Sequence, residues 1–382
     1  MSAAIANSRL QNIAPSGIRA IHDRKRPTSL NLGIGEPSLK PDVAPFESAV
    51  EWVREHGCPY TSYAGLPELR DLVANIYGGK FSRSADSVCV TNGSQEAIFL
   101  AIKTLAEPGR DEVLVANPGY PIYHKVCELE GIAWRTVSFS ADDSFTPRAD
   151  AILAALQPKT RLIVLASPAN PTGAAMPPSE VAKLARGLAA RPGPPVYVLA
   201  DEVYRELTYT VEPFRSMADE YPYTVSVLSL SKSCALTGLR IGFLIAPVEI
   251  AAAAGRMHSL VLMSASQFGQ RVALEIFRDP ARLRAHVPWY VQQRGVMLDA
   301  AKNDRLDFIG PAGAFYVLVR LPERLRLDST AAAYALLEKH DVVTVPGAVF
   351  ASNTEGYLRV TWAAGRDAVV EGLHRIAEFV HA

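Results

Sequence analysis

The sequence predicts an α/β protein with a mainly parallel central sheet, helices on both faces of that sheet, and a smaller α+β domain. Between about residues 85 and 246, short apolar runs alternate with amphipathic helical stretches. The runs are apolar throughout, as expected for strands that a parallel sheet buries on both faces. Alternation of strands and helices in this order is typical of a doubly wound layer architecture.

Six apolar runs are the predicted strands of the central sheet. They occupy residues 87–90, 112–116, 162–166, 196–200, 225–229 and 241–245. Helical patterns lie between them at 96–105 and 179–188, and a Pro-Pro-Ser-Glu start signal at 177–180 precedes the second pattern.

The pattern changes after Pro247, where helical stretches dominate to about residue 301. The remainder contains three predicted strands and a final amphipathic helix, at residues 314–319, 342–345, 357–361 and 366–381. We therefore predict a large domain at residues 46–285. A small domain is predicted to combine residues 1–45 with residues 286–382.

The composition argues against several kinds of partner. The 382 residues include 39 Lys+Arg and 39 Asp+Glu, so the formal net charge is zero. A nucleic-acid partner normally requires a concentrated basic footprint, and the sequence has none, so we expect no nucleic-acid binding. No apolar run reaches the roughly 18 residues that a membrane span needs, so we expect no membrane partner.

The amino terminus and the cysteines bear on the location of the protein and on metal binding. The amino terminus lacks the basic start and apolar core of a secretory signal, so we expect a cytoplasmic protein. The four cysteines are scattered along the chain without metal-ligand spacing. We therefore expect reduced thiols and no metal site.

Several polar residues follow the ends of predicted strands. Ligands of open parallel sheets bind beyond the carboxyl ends of the strands. The residues in such positions are Asn92, Gly93, Ser94, Gln95, Tyr120, Asn170, Asp201, Tyr204 and Lys232. Each is a weak signal alone, but their agreement in position predicts a ligand site at this edge of the sheet.

The segment Asn92-Gly93-Ser94-Gln95 opens a predicted helix and is a candidate anion site. Glycine permits close approach of the backbone, and the helix start presents free N–H groups and a positive dipole end. Ser229, Ser231 and Arg240 could add hydroxyl and bidentate guanidinium contacts suited to a phosphate dianion. The tetrapeptide alone is more often an ordinary glycine-containing turn.

Lys232 and Asp201 follow two of the predicted strands and carry opposite charges. A buried lysine has a lowered pKa, and its unprotonated amine can form a Schiff base with a carbonyl. A carboxylate at the end of an apolar strand needs a cationic partner, which a protonated pyridine nitrogen could supply. The alternatives are a surface lysine and an aspartate that caps the next helix.

Taken in order, these residues resemble the fold-type I, pyridoxal 5′-phosphate (PLP)-dependent aminotransferases of class I/II, an aspartate aminotransferase-like family. The resemblance runs from Gly33-Ile34-Gly35-Glu36-Pro37 to Tyr357-Leu358-Arg359-Val360. Between them lie Asn-Pro-Thr-Gly at 170–173, Asp-Glu-Val-Tyr at 201–204, and Ser-x-Ser-Lys at 229–232, which continues to Arg240. The motifs are moderately specific singly and strong together.

The resemblance implies a role for each matching residue toward PLP. Lys232 would hold the cofactor as an internal aldimine and move a proton between the substrate Cα and cofactor C4′. Asp201 would pair with the pyridine nitrogen, Asn170 and Tyr204 would hydrogen-bond the 3′-oxygen, and Tyr120 would stack on the ring. The residues that would surround the phosphate are Gly93, Ser94, Gln95, Ser229, Ser231 and Arg240.

Two further implications concern the partner subunit and the substrate. Tyr60 resembles a tyrosine that reaches the phosphate of the neighbouring subunit's cofactor, which requires a homodimer with shared active sites. Arg359 resembles the arginine that binds the substrate α-carboxylate, helped by Asn170 and the backbone of Gly35. Without the resemblance, Arg359 would be interpreted as a surface arginine on an edge strand.

The donor is predicted from two departures from the family pattern. Some bacterial aspartate aminotransferases of this subgroup have a lysine where this chain has Gln95, and often a tryptophan where it has Tyr120. The sequence offers no obvious second cation for a dicarboxylate. We therefore expect an L-amino acid donor that is neutral, aliphatic or aromatic, with a 2-oxo acid as acceptor.

Two alternatives to transamination remain open at this point. A PLP-dependent lyase, deaminase or cyclase could use the same lysine, aspartate and arginine, because the cofactor supplies the electronic chemistry. A non-enzymatic PLP-sensing protein is more remote, since such regulators need an added DNA-binding module and the sequence shows no basic stripe.

Overall fold

The structure is a computed structural model that describes residues 8–11, 13–82, 84–326 and 328–382. Its helices are α1 (Ser8–Gln11), α2 (Gly17–His22), α3 (Ala44–His56), α4 (Pro67–Tyr77), α5 (Ser94–Leu105), α6 (Ile122–Glu130), α7 (Ala149–Ala155), α8 (Pro178–Ala189), α9 (Val248–Leu262), α10 (Gln267–Arg278), α11 (Val287–Asn303), α12 (Ser329–His340) and α13 (Arg366–His381). Its strands are β1 (Leu30–Asn31), β2 (Val88–Thr91), β3 (Glu112–Asn117), β4 (Ala133–Ser138), β5 (Thr160–Ala166), β6 (Tyr197–Asp201), β7 (Thr224–Ser229), β8 (Gly242–Ile245), β9 (Phe308–Ile309), β10 (Tyr316–Arg320), β11 (Val342–Val343), β12 (Val345–Pro346) and β13 (Tyr357–Thr361).

A seven-stranded sheet in the order β2-β8-β7-β6-β5-β3-β4 contains all six strands that the sequence predicts for it. Neighbouring strands from β7 to β4 are parallel. Only β8 runs against its neighbours, β2 and β7. The mainly parallel central sheet is therefore confirmed.

The seventh strand, β4, lies at the edge of the sheet and has no counterpart in the sequence prediction. Val137 is its only fully buried residue, and most of the others are exposed. An edge strand with one solvated face does not form a continuous apolar run, so the pattern that identifies the central strands misses it.

Helices cover both faces of the sheet, as predicted. In β3, Val113 and Val115 belong to one hydrophobic cluster, which they share with Ala97 of α5 and other residues. Leu114 points the opposite way, into a second cluster with Leu184 of α8. Successive strand residues thus pack into different cores, which explains why these strands are apolar at every position.

Local signals set the bounds of helices such as α8. Pro178 lies in its first turn, where a missing N–H costs nothing, and Glu180 complements the positive end of the helix dipole. Val181, Leu184 and Leu188 form the stripe that packs on the sheet. Within the described part of the chain, no helix is both long and apolar enough to cross a membrane.

A second region combines the antiparallel sheet β12-β13-β10-β9 with the last three helices. The predicted strand at 342–345 is two short strands, and β11 pairs in parallel with β1. One hydrophobic cluster joins Ile21 and Leu32 with residues as distant as Val380. That cluster supports a small domain made from both chain ends, although its bounds at residues 45/46 and 285/286 stay a prediction.

Candidate active site

A cavity of about 890 Å³ lies beyond the carboxyl ends of the parallel strands. Eleven of the residues singled out in the sequence line it, namely Gly35, Ser94, Gln95, Tyr120, Asn170, Asp201, Tyr204, Ser231, Lys232, Arg240 and Arg359. Gly93 and Ser229 contact lining residues. Tyr60 lies apart, in the loop between α3 and α4, and does not line this cavity.

Lys232 lies three residues beyond β7 and projects into the cavity. Its Nζ donates a hydrogen bond to the carbonyl oxygen of Gly35 at 2.6 Å. Burial, and then the positive charge of Arg359, lower the pKa of Lys232 to about 8. Much more of this amine is therefore unprotonated near neutral pH than for an ordinary lysine, which fits a nucleophile and excludes the surface-lysine interpretation.

Asp201 is the last residue of β6 and is 5% exposed. The hydroxyl of Tyr123 donates to its Oδ2 at 2.6 Å, and the Val203 N–H donates to Oδ1 at 3.3 Å. Burial raises the pKa of Asp201, although the Tyr123 hydrogen bond opposes this shift. Residues 202–207 form a turn and not a helix, so Asp201 is not the helix cap considered above.

The candidate anion site is built where β2 meets α5. Gly93 has a φ of 78°, and a Cβ at this position would collide with the Arg240 guanidinium. The first helical hydrogen bond of α5 runs from Ala97 N to Gly93 O at 3.5 Å, so the preceding N–H groups face outward from the helix start. These N–H groups and Arg240 make one electropositive corner of the cavity.

Two serines, at the end of β7 and just beyond it, support this corner. Ser229 Oγ lies 2.7 Å from Ser231 Oγ and 3.0 Å from the carbonyl oxygen of Ile241. Arg240 Nη1 donates to the carbonyl oxygen of Thr237 at 3.0 Å. The hydroxyl pair is buried, whereas the Arg240 side chain remains accessible to a ligand.

Arg359 lies on β13, between β12 and β10, and is 1% exposed. Its Nη1 donates to Asn170 Oδ1 at 2.9 Å, and its Nη2 donates to the carbonyl oxygen of Gly33. Its Nε has no hydrogen-bond partner among the described residues. Burial lowers the pKa of Arg359. The interpretation as a surface arginine on an edge strand is therefore wrong, and a cation buried this deeply needs an anion.

Two tyrosines that the sequence reasoning missed contact the predicted residues. Tyr123 holds Asp201, as described above, and Tyr316 on β10 lies with its hydroxyl 3.0 Å from that of Tyr204. A side chain at Gly35 would collide with the Tyr316 hydroxyl. Tyr316 falls inside the predicted strand at 314–319, whereas Tyr123 lies in α6, which the sequence analysis did not predict; only the spatial arrangement distinguishes either from a core aromatic.

Tyr120 and the amino-terminal segment complete the cavity wall. The Tyr120 hydroxyl donates to Gln95 Oε1 at 3.3 Å. Helix α2 contributes Arg19 and His22, and burial lowers the pKa of His22. The sequence reasoning found no second cation, because Arg19 is remote in sequence from every motif. No sequence signal marks Arg19, because neither a motif nor a predicted helix includes it, and only the fold brings α2 to the cavity beside Ile34.

Comparisons with known proteins agree with this geometry. Residues 27–376 match the family model described as aminotransferase class I and II. The chain is 34% identical to the probable N-acetyl-LL-diaminopimelate aminotransferase of Bacillus subtilis (strain 168), over 98% of this chain and 96% of that protein. It is 30% identical to the aspartate aminotransferase of Pyrococcus horikoshii, over 95% and 94% of the two chains. The solved structure of the Thermus thermophilus aspartate aminotransferase with maleate superimposes with a TM-score of 0.90 at 28% identity, covering 98% of this chain and 99% of that one.

Proposed function

This chain belongs to the class I and II aminotransferases, and from that premise we propose that it uses PLP bound to Lys232. The reaction that we propose moves an amino group between an L-amino acid and a 2-oxo acid. The observation that carries the proposal is one cavity lined by a lysine of lowered pKa, the buried carboxylate of Asp201 and the buried guanidinium of Arg359.

The residues of the cavity fit PLP at both ends of the cofactor. Asp201 is a buried carboxylate beside Lys232, and its burial calls for a cation such as a protonated ring nitrogen. At the other end, Gly93 and Arg240 form a cradle that a Cβ would fill, next to the free N–H groups of α5. Ser94, Gln95, Ser229 and Ser231 would add phosphate contacts around this cradle.

When bound, PLP supplies an electron sink that stabilises negative charge at the substrate Cα. Lys232 Nζ would hold the cofactor and then carry the proton between the substrate Cα and the cofactor. Asp201 would keep the ring nitrogen protonated, since a buried carboxylate stabilises a cation beside it. Tyr123 would keep Asp201 ionised and oriented through its 2.6 Å hydrogen bond.

Orientation of the substrate would depend on Arg359. A guanidinium binds a carboxylate in a fixed bidentate geometry, which aligns the reacting bond at Cα. Asn170 holds the Arg359 fork through its 2.9 Å hydrogen bond and would contact the cofactor 3′-oxygen together with Tyr204. The Gly35 backbone would help to bind the carboxylate. The Tyr120 ring would cover one face of the cofactor.

We propose a neutral, aliphatic or aromatic donor. Gln95 and Tyr120 lie beside each other on the cavity wall and carry no charge. A dicarboxylate would require a cation near its distal end, and Arg19 is the residue against which this proposal must be tested. Two relatives of this chain are aspartate aminotransferases, one of them solved with maleate, so an acidic donor is the alternative to this proposal.

We further propose a cytoplasmic homodimer with shared active sites. Tyr60 is 86% exposed in the single chain, so its ring is available to a second copy. The end of α9 is also apolar and exposed, with Leu260 at 88% and Val261 and Met263 beside it in sequence. A second copy that covers these surfaces would bring Tyr60 to the partner's cofactor phosphate.

The test is the visible spectrum of the purified protein while single amino acids are added without an acceptor. An aminotransferase converts the lysine-bound cofactor to its amino form and releases one equivalent of 2-oxo acid. The responding amino acid then identifies the donor. If product exceeds one equivalent while the cofactor spectrum persists, a lyase or deaminase replaces transamination. A cofactor that binds and responds to no amino acid would favour a non-enzymatic sensor.

A further inference from the structure

A buried pair of ionisable residues lies behind the candidate anion site without lining the cavity. His258 on α9 is 0% exposed, and its Nδ1 lies 2.9 Å from Glu96 Oε1. The other carboxylate oxygen, Glu96 Oε2, accepts the N–H of Asn92 at 2.6 Å. One continuous chain of hydrogen bonds therefore links α9 to the turn that precedes α5.

This chain of hydrogen bonds and Arg240 act on the same residue of the turn, Asn92, through the two peptide units that flank its Cα. Glu96 accepts the Asn92 N–H, while Arg240 Nη2 lies 3.5 Å from the Asn92 carbonyl oxygen. The turn is thus fixed through its own backbone groups. Because Asn92 and His258 engage the two Glu96 oxygens, this carboxylate does not cap the N–H groups of Ser94 and Gln95. Those N–H groups stay available to an anion at the helix start.

The carboxylate of Glu96 needs restraint at this position. It belongs to the first turn of α5, the region that would also bind the cofactor phosphate, and two anions in one place repel each other. An ionised carboxylate only accepts hydrogen bonds, so His258 donates through Nδ1 and holds Glu96 toward Asn92. A different rotamer of Glu96 would lose both hydrogen bonds.

A purely structural helix cap does not account for His258. The Glu96–Asn92 hydrogen bond alone satisfies the turn. Burying an imidazole carries a cost, since its Nε2 has no partner among the described residues. An apolar side chain on α9 would pack against α5 without that cost.

We propose that Glu96 and His258 are positioning residues for the phosphate-binding turn, with His258 acting through Glu96. This inference rests on the proposed use of PLP. It predicts that both residues affect binding of the phosphate group and leave binding at Lys232 and Asp201 unchanged. Pyridoxal, which lacks the phosphate but keeps the aldehyde and the ring nitrogen, separates the two effects.

The experiment compares the dissociation constants of PLP and pyridoxal for the cofactor-free protein, followed by absorbance. Losing a hydrogen bond to a charged group corresponds to about tenfold or more in binding. We therefore expect Glu96→Ala and His258→Leu to weaken PLP binding about tenfold or more while pyridoxal binding changes less than about twofold. His258→Asn keeps an N–H donor near the Nδ1 position and should restore PLP binding to within about threefold of the original.

The controls separate this inference from folding and from the proposed function. Lys103→Gln, which breaks the Lys103–Glu130 ion pair at the other end of α5, should leave the ratio of the two constants unchanged. If His258→Leu does not fold, Glu96→Ala carries the test. Equal losses for PLP and pyridoxal, or no loss for either, would overturn the positioning role. Failure of the unsubstituted protein to bind PLP covalently would instead overturn the proposed function.

Discussion

Replacing Asp201 by asparagine should stabilise the cofactor-free protein while it removes activity. Two groups donate hydrogen bonds to the buried carboxylate of Asp201, the Tyr123 hydroxyl and the Val203 N–H. Asparagine keeps nearly the same shape and an acceptor for Tyr123, but it removes the buried charge. With the cofactor bound, the same change removes the partner of the ring nitrogen.

The magnitude follows from the burial of Asp201. A charge in a protein interior costs several kcal/mol, and its two hydrogen bonds offset part of that cost, so we expect a gain of about 1–3 kcal/mol. For 382 residues, an unfolding entropy of about 2.1 cal/mol/K per residue sums to about 0.8 kcal/mol/K. The Tm of the cofactor-free protein should therefore rise by about 1–4 °C.

The pH dependence of this gain has a definite sign. Because burial raises the pKa of Asp201, its protonation favours the folded state at low pH, and that contribution is lost as the pH rises through the folded-state pKa. The advantage of Asp201→Asn should accordingly be largest at neutral pH and shrink in acid. Calorimetry of both cofactor-free proteins across pH measures it, and activity should fall by about a hundredfold or more. A variant that is less stable at neutral pH would refute the cost assigned to the buried charge. An equally active variant would refute the pairing of Asp201 with the ring nitrogen.

Three further predictions concern the other groups of the cavity. Lys232→Ala should fold, bind PLP only reversibly and show almost no turnover, and borohydride should trap cofactor in the original protein alone; full activity of the variant would remove the central proposal. The rate of covalent PLP capture by the original protein should rise with pH as Lys232 loses its proton near its pKa of about 8, so a pH-independent rate would contradict the lowered pKa. Arg19→Gln should change kcat/KM for neutral donors by less than about twofold, whereas a selective loss for acidic donors would show that Arg19 binds a distal carboxylate.

The central sheet could be predicted because its strands are buried on both faces. The runs at 162–166 and 225–229 are apolar without alternation, and they become β5 and β7 with bounds shifted by at most two residues. Edge strand β4 could not be found in the same way, since Trp134 and Thr136 face solvent. Pairing order and the reversal of β8 depend on contacts between remote segments, which no local pattern records.

The residues of the candidate site likewise fall into those that local sequence predicts and those that depend on contacts between remote segments. Asp201 and Lys232 were predictable because each lies within three residues of the end of an apolar run that is plain in the sequence. Tyr316 was not, because it meets Tyr204 across 112 residues, from a different sheet. The burial of Arg359 likewise comes from its position between β12 and β10, which local sequence does not show.

The residues proposed to hold the cofactor and those proposed to select the donor lie in different parts of this chain. Apart from Tyr60, the residues proposed to hold PLP all lie between Gly93 and Arg240, mostly after strands of the central sheet, where the motif spacing makes them recognisable. The wall opposite includes Arg19 on α2 and Ile34, from the amino-terminal segment that packs with the carboxy-terminal region. The hydrogen bonds of Lys232 and Asp201 involve neither the Arg19 nor the Ile34 side chain, so we expect substitutions at these two positions to leave Lys232 and Asp201 in place. Members of one family can therefore keep the same chemistry while they differ in the amino acid that they accept.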